Sequence, residues 1–344
     1  MIFPWTRPSL ERLLAMRAAL PHALLLHGPE GIGKAQLARH FAGALLCEAP
    51  RPDGDACGEC AACGWFAQSN HPDFRLLEPE ADEDAAEGRS AGRGGAKSKA
   101  SRDIRIQQVR ALADFLSVGA HRAGRKVVLV SPADALNVPA ANALLKTLEE
   151  PPGDTVFLLV SGRADTLPAT IRSRCVSIGI PMPDPGTALD WLSGRDGIDP
   201  GQARAALLAA GGAPLHAAAL AEPSQTAAHR ALLQALADLP ENPVIRAADT
   251  VATHPARTWM PLLLAWVSDL GRVLAGAEPR RFPDRADRLG RLARQTTLER
   301  VAGFGAWLQR QQAVVAHPLN PRLLCEDILL RYHALFAAGT KANT

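Results

Sequence analysis

The stretch GPEGIGKAQ, residues 28–36, constrains this chain more than any other. It follows a short apolar run, ALLL at residues 23–26, and opens into KAQLARHFAGALL at residues 34–46. The first run reads as a buried strand, and the second places apolar residues at helical spacing. Strand, glycine loop and helix in that order predict an α/β nucleotide fold. The loop keeps the pattern G-x-x-x-x-G-K-[S/T] as far as its lysine. Gly28, Gly31 and Gly33 let backbone amides cradle phosphate in front of a helix N-terminus. Lys34 is placed to reach the β and γ phosphates of ATP. The next position normally carries a hydroxyl that ligates magnesium, and here Ala35 offers only a methyl group.

A second catalytic element is altered as well. Hydrolysis needs acids at the end of a neighbouring strand. The candidate is KVVLVSPAD, residues 126–134, a second buried strand. Ser131 and Pro132 stand where two acids are expected, and Asp134 reads as a cap or turn residue for the following helix. Losing the magnesium hydroxyl and the acids together argues against ATP hydrolysis by this chain. Binding is a separate matter, because Gly28, Gly31, Gly33 and Lys34 retain the groups that touch phosphate.

Helical periodicity returns over residues 104–118 and again over 133–150, where Pro151-Pro152 stops the helix. TVFLLV, residues 155–160, is a third buried strand. Strands alternating with helices predict a mainly parallel sheet. Residues 78–102 are polar, rich in Gly, Ala and Ser, and aperiodic, which predicts a flexible surface loop. Beyond Pro181 strand-like runs disappear and Ala/Leu helices take over, broken by prolines and glycines.

Six cysteines are present, and four fall within residues 47–63. Cys47, Cys57, Cys60 and Cys63 have the spacing C-x9-C-x2-C-x2-C. Two-residue spacing lets successive thiolates converge on one tetrahedral ion. Four sulfurs complete the shell, so the expected site is structural Zn(2+), open to no substrate. His71, in Asn70-His71-Pro72-Asp73, reads as part of a turn rather than a ligand. Cys175 and Cys325 stand alone and are expected to be buried, unpaired thiols. No apolar run approaches the roughly 18–20 residues that span a bilayer, and MIFPWTRPSLERLL lacks a signal-peptide layout, so a cytoplasmic protein is expected. A net charge of +3 permits contact with nucleic acid without arguing for it.

Four stretches together resemble a known family. They are LPHALLLHGPEGIGKAQLA (residues 20–38), the cysteine cluster followed by NHPD (70–73), AANALLKTLEEPP (140–152) and LPATIRSRC (167–175). The chain resembles the clamp-loader branch of AAA+ proteins, which serves bacterial DNA polymerase III. Its altered nucleotide motifs make it less similar to the gamma/tau motor subunits than to a non-hydrolysing member. The resemblance implies an AAA+ α/β domain over residues 1–165, a small helical lid over 166–212 and an all-helical collar over 213–344. The first domain would carry the zinc module (47–63) and the loop (78–102). Implied partners are the delta and gamma/tau subunits and, through the complex, the sliding clamp and primed DNA.

The resemblance also implies that Arg174 of the Ser-Arg-Cys motif serves in trans as an arginine finger. A planar guanidinium can meet a γ-phosphate bidentately and stabilise charge developing during transfer. Arg172 is the fallback. In relatives, the position of Ser161 can sense nucleotide, and motor subunits often place a second sensing arginine where Pro214 stands here. The helix containing Leu144, Leu145 and Leu148 is expected to face the core, with Lys146, Glu149 and Glu150 on its solvated or interface face. Two other function classes remain to be weighed. A gamma/tau-like ATPase would turn over ATP alone. A zinc-dependent nucleic-acid-binding module would bind DNA tightly, although few basic or aromatic residues lie near the cysteines.

Overall fold

In a computed structural model, the chain is described over residues 2–80, 103–121, 124–314 and 320–336. Most of the loop expected over 78–102 lies outside the described residues. The chain forms two compact units, Met1–Thr187 and Ala188–Thr344.

The first unit runs α1 (Arg7–Ala15), β1 (Ala23–His27), α2 (Lys34–Leu46), α3 (Ala61–Ala67), β2 (Phe74–Leu77), α4 (Ile106–Ser117), β3 (Lys126–Val130), α5 (Val138–Glu149), β4 (Thr155–Ser161), α6 (Ala169–Arg172) and β5 (Val176–Gly179). The strands lie side by side in the order β2-β3-β4-β1-β5, and every pairing is parallel. The three inner strands are covered on both faces, which explains their unbroken apolar runs. Leu24, Leu26, Val127, Leu129 and Leu158 pack on one face with Leu13, Leu37 and Phe41 of α1 and α2. The alternate residues Leu25, Val128, Val130, Phe157 and Leu159 pack on the other with Leu112, Leu144, Leu148 and Ile171. Alternation of side chains along each strand makes this division unavoidable.

The structure adds two strands that periodicity does not announce. FRLL (β2) and VSIG (β5) are four-residue edge strands, each with exposed residues among its buried ones. Such strands lack the continuous apolar run of a buried parallel strand. β5 lies beyond residue 165, so the sheet extends past the domain boundary expected there. The helix read over 133–150 is in fact a short 3-10 turn, Ala133–Ala135, followed by α5. Asn137 is the reason, since its side chain accepts from the Ala140 N–H at 2.9 Å and caps α5. Asp134 sits in the preceding turn and does not cap that helix.

Leading into and through the second unit are α7 (Pro185–Ser193), α8 (Pro200–Ala209), α9 (Pro214–Ala221), α10 (Pro223–Asp238), α11 (Val244–Val251), α12 (Ala256–Leu274), α13 (Ala286–Ala293), α14 (Leu298–Val314) and α15 (Pro321–Ala334). Proline stands in the first turn of several of them, where its missing N–H costs nothing. Ala188, Leu192, Ala203, Leu207 and Ala217 form a small core. A larger one gathers Trp259, Trp266, Leu270, Leu289, Leu308 and Tyr332. Among the described residues, no helix is long and apolar enough to cross a membrane.

Two polar devices sit inside the larger core. Asp269 is buried, and its carboxylate accepts from the backbone N–H groups of Arg280, Arg281 and Phe282 at 2.8–3.0 Å. The indole of Trp266 donates to the Tyr332 hydroxyl at 2.7 Å, with both side chains fully buried. Tyr332→Phe should therefore strand a buried N–H and destabilise the protein by about 1–3 kcal/mol. Denaturant unfolding measures this; a change below about 0.5 kcal/mol would contradict the assignment.

Candidate functional site

The glycine loop joins β1 to α2 at the C-terminal end of the sheet, the end at which open α/β sheets bind ligands. Two of its glycines are required by their surroundings. Gly28 has φ +148°, and a Cβ there would lie 2.2 Å from the Ile180 carbonyl oxygen. Gly33 has φ +89°, and a Cβ there would meet the Phe3 ring at 2.5 Å. Gly31 also has positive φ. Phe3 stacks on Trp5 with ring centroids 5.0 Å apart, and the Trp5 indole donates to the Ile32 carbonyl at 2.8 Å. The amino-terminal aromatic pair thus braces the loop from outside. The spacing of Phe3 and Trp5 from the loop carries no periodic signal, so the sequence alone does not reveal this contact.

Lys34 is the first residue of α2 and is only 6% exposed. Its ammonium donates to the Pro29 carbonyl at 2.5 Å, within its own loop. Burial pulls its pKa below the usual lysine value, while the negative charges of Glu30 and Asp134 oppose that shift. The loop therefore gathers oriented amides and one buried cation, with the Ala35 methyl at the position next to the lysine.

Ser161 ends β4 directly beside His27 of β1. Its hydroxyl donates to Asp134 at 2.6 Å, and the Gly162 N–H donates to the other carboxylate oxygen at 2.7 Å. The acid that follows β3 is thus occupied in tying the β3 turn to the end of β4. Ser131 and Pro132 bring no carboxylate to this end of the sheet.

Arg174 lies between α6 and the start of β5, at the N-terminal end of the parallel sheet, whereas Ser161 lies at its C-terminal end. One terminal nitrogen, Nη1, donates to the Thr170 carbonyl at 2.9 Å and to the Ser173 hydroxyl at 3.3 Å. The other, Nη2, pairs with the Glu149 carboxylate at the end of α5. The Arg174 side chain keeps 34% of its surface exposed. Arg172 is exposed on α6. In the sequence Glu149 shares one solvated or interface face with Lys146 and Glu150, and only the fold, which brings the ends of α5 and α6 together, singles it out.

The four clustered cysteines meet as their spacing predicts. Cys47 follows α2, Cys57 lies in the intervening loop, Cys60 caps α3, and Cys63 lies inside it. All four sulfurs lie within 4.8 Å of one another. Cys47 and Cys57 are 3.5 Å apart, and Cys47–Cys60 and Cys57–Cys63 are each 3.9 Å apart. A tetrahedron with Zn–S bonds of about 2.3 Å has S–S edges of about 3.8 Å, so the donor set fits that ion. Backbone N–H groups point at the sulfurs: Cys57 to Cys47, Cys60 to Cys57 and Cys63 to Cys60. Such bonds favour thiolate. The Cys57 thiol is pulled down to about 6, chiefly by the Glu59 and Cys60 amides. Burial pushes Cys63 up to about 12. His71 stays out of the set; its Nδ1 accepts from the Asp73 N–H at 3.1 Å within the NHPD turn. Cys325 is fully buried and Cys175 only partly so, and both are free thiols.

A parallel sheet of this order, with a glycine loop and lysine at the end of β1 and a helical unit following in the chain, defines a P-loop α/β protein of AAA+ type. A family model described as DNA polymerase III, delta subunit, matches residues 9–184. The chain is 38% identical to the DNA polymerase III subunit delta' of Pseudomonas aeruginosa, over 98% of this chain and 99% of that one. Its identity to the corresponding Escherichia coli subunit is 32%, over 98% and 97%. A gamma subunit-related protein from Thermotoga maritima aligns in structure with a TM-score of 0.40 at 17% identity, over 95% of this chain and 99% of that one. The chain belongs to the DNA polymerase III delta' family.

Proposed function

We propose that this chain is a non-hydrolysing subunit of the clamp loader, working by assembly and by an arginine offered to a neighbour's ATP site. In this reading it joins the delta and gamma/tau subunits in the cytoplasm as part of a DNA polymerase III holoenzyme. The assembly places the sliding clamp on primed DNA. The sheet unit through β5 serves as the AAA+ domain, the short helices that follow as the lid, and the remaining helices as the collar. Zn(2+) is held by Cys47, Cys57, Cys60 and Cys63 and stiffens the module beside α2. ATP, if bound at Gly28, Gly31, Gly33 and Lys34, is not turned over there.

The observation that carries this reading is a division of labour across one sheet. The loop at β1 lacks the magnesium hydroxyl and the acids, while a partly exposed guanidinium stands beside the neighbouring edge strand, β5. A site built for its own chemistry would have kept the oxygens that hold the metal.

The purified chain incubated with ATP should release phosphate no faster than a protein-free control. Ala35→Ser should not change that, because one restored hydroxyl leaves the positions of Ser131 and Pro132 without acids. Steady turnover by the isolated wild-type chain would overturn the proposal. Mixing with delta and gamma/tau should give one stable complex on gel filtration, and failure to assemble would count equally against it.

A further inference from the structure

The fold gives Glu149 a task that the LEEPP segment does not suggest. Glu149 is the last residue of α5. The negative end of the helix dipole disfavours an acid there, and Pro151-Pro152 prevents the helix from continuing past it. The acid there is paired with a cation, Arg174. Both partners stand on rigid supports. Leu144 and Leu148 of α5 and Ile171 of α6 are completely buried in the same apolar layer. The Thr170 carbonyl holds the guanidinium from a second side. Nη1 is held by these two hydrogen bonds and Nη2 by the charge of Glu149. A guanidinium has five N–H donors, and among the described residues the Nε–H has no hydrogen-bond partner. A phosphate oxygen can take an N–H left free in this way.

We propose that Glu149 is the positioning residue for Arg174, fixing the guanidinium so that its unpaired Nε–H faces the γ-phosphate of an adjoining subunit. This rests on the reading of Arg174 as a donated arginine. The pair adds little to stability: 49% of the Glu149 side chain is exposed, and exposed pairs are screened. Its effect lies in the transition state. A long, freely rotating arginine would have to be ordered during each turnover, whereas a clamped one is already aimed.

The test uses the complete reconstituted loader with full-length Glu149→Gln, Arg174→Ala, the double variant and Glu150→Gln. Glu149→Gln should assemble normally, melt within about 2 °C of wild type, and lower kcat at the served site by about tenfold with KM unchanged. The double variant should be no slower than Arg174→Ala alone, because Glu149 acts only through that side chain. Glu150→Gln, an adjacent acid without this contact, should leave the rate unchanged. If Arg174→Ala slows turnover while Glu149→Gln stays within twofold of wild type, the positioning role is wrong and the donated arginine stands. A double variant slower than Arg174→Ala, or an equal loss in Glu150→Gln, would overturn it as well. If Arg174→Ala itself has no effect, the underlying reading fails first.

Discussion

Arg174→Ala is expected to leave the loader assembled and to cut its DNA- and clamp-stimulated ATPase. An arginine supplied in trans contributes on the order of 10³–10⁵ in rate at the site that it serves. That site should become almost silent, and the rate of the whole complex should fall by at least that site's share, or further if the sites fire in sequence. The variant should not act through folding. Arg174 is partly exposed, and its bonds go to a helix-end carbonyl, a hydroxyl and a half-exposed acid. Losing them costs at most about 1 kcal/mol in stability. Arg172→Ala is the matched control, one turn end away on α6 and exposed; it should retain full stimulation. Gel filtration together with phosphate release by both variant complexes decides the matter. Equal stimulation of the Arg174→Ala and wild-type complexes would contradict the account.

The second large effect concerns the thiolates. The purified chain should contain close to one equivalent of zinc, and Cys60→Ser or a strong chelator should remove it. Structural zinc sites contribute folding free energy outright, with apparent binding energies of roughly 10–16 kcal/mol in small isolated modules. The loss here should be smaller, because α3 keeps apolar anchors. Phe66 packs edge-on against Phe74 with centroids 4.8 Å apart, and its ring lies so close to Gly43 that a Cβ there would meet it at 3.0 Å. The expected outcome is release of the loop between Cys47 and Cys60, a fall in Tm on the order of 10 °C, and an intact sheet by circular dichroism. Less than about half an equivalent of metal in wild type, or a Tm indifferent to chelation, would contradict the four-thiolate site.

How much of this was legible in the sequence follows from where each signal resides. β1, β3 and β4 announce themselves because strands buried on both faces are apolar between their ends. β2 and β5 do not, because an edge strand of four residues carries one or two inward side chains and no period. The start of α5 was misplaced for a chemical reason: Asn137 caps it three residues after Asp134, and the two side chains offer similar capping chemistry. The cysteine cluster was legible because ligand spacing is local. The glycines and Lys34 were legible for the same reason. The Trp5–Ile32, Asp134–Ser161 and Glu149–Arg174 contacts were not, since each joins segments 25 or more residues apart. Only the fold makes them neighbours: the first two meet at the C-terminal end of the parallel sheet, and the third at its N-terminal end, where α5 and α6 lead into β4 and β5. The site is thus written locally in its phosphate-binding half and topologically in its braces.

The most direct measurement is a structure of the assembled loader with a non-hydrolysable triphosphate in its motor subunits. The account predicts that the Arg174 guanidinium lies about 2.7–2.9 Å from γ-phosphate oxygens of the adjoining subunit, with Glu149 still at its back and no magnesium-bound triphosphate beside Ala35. A guanidinium turned away from every triphosphate, or Arg172 in its place, would contradict it.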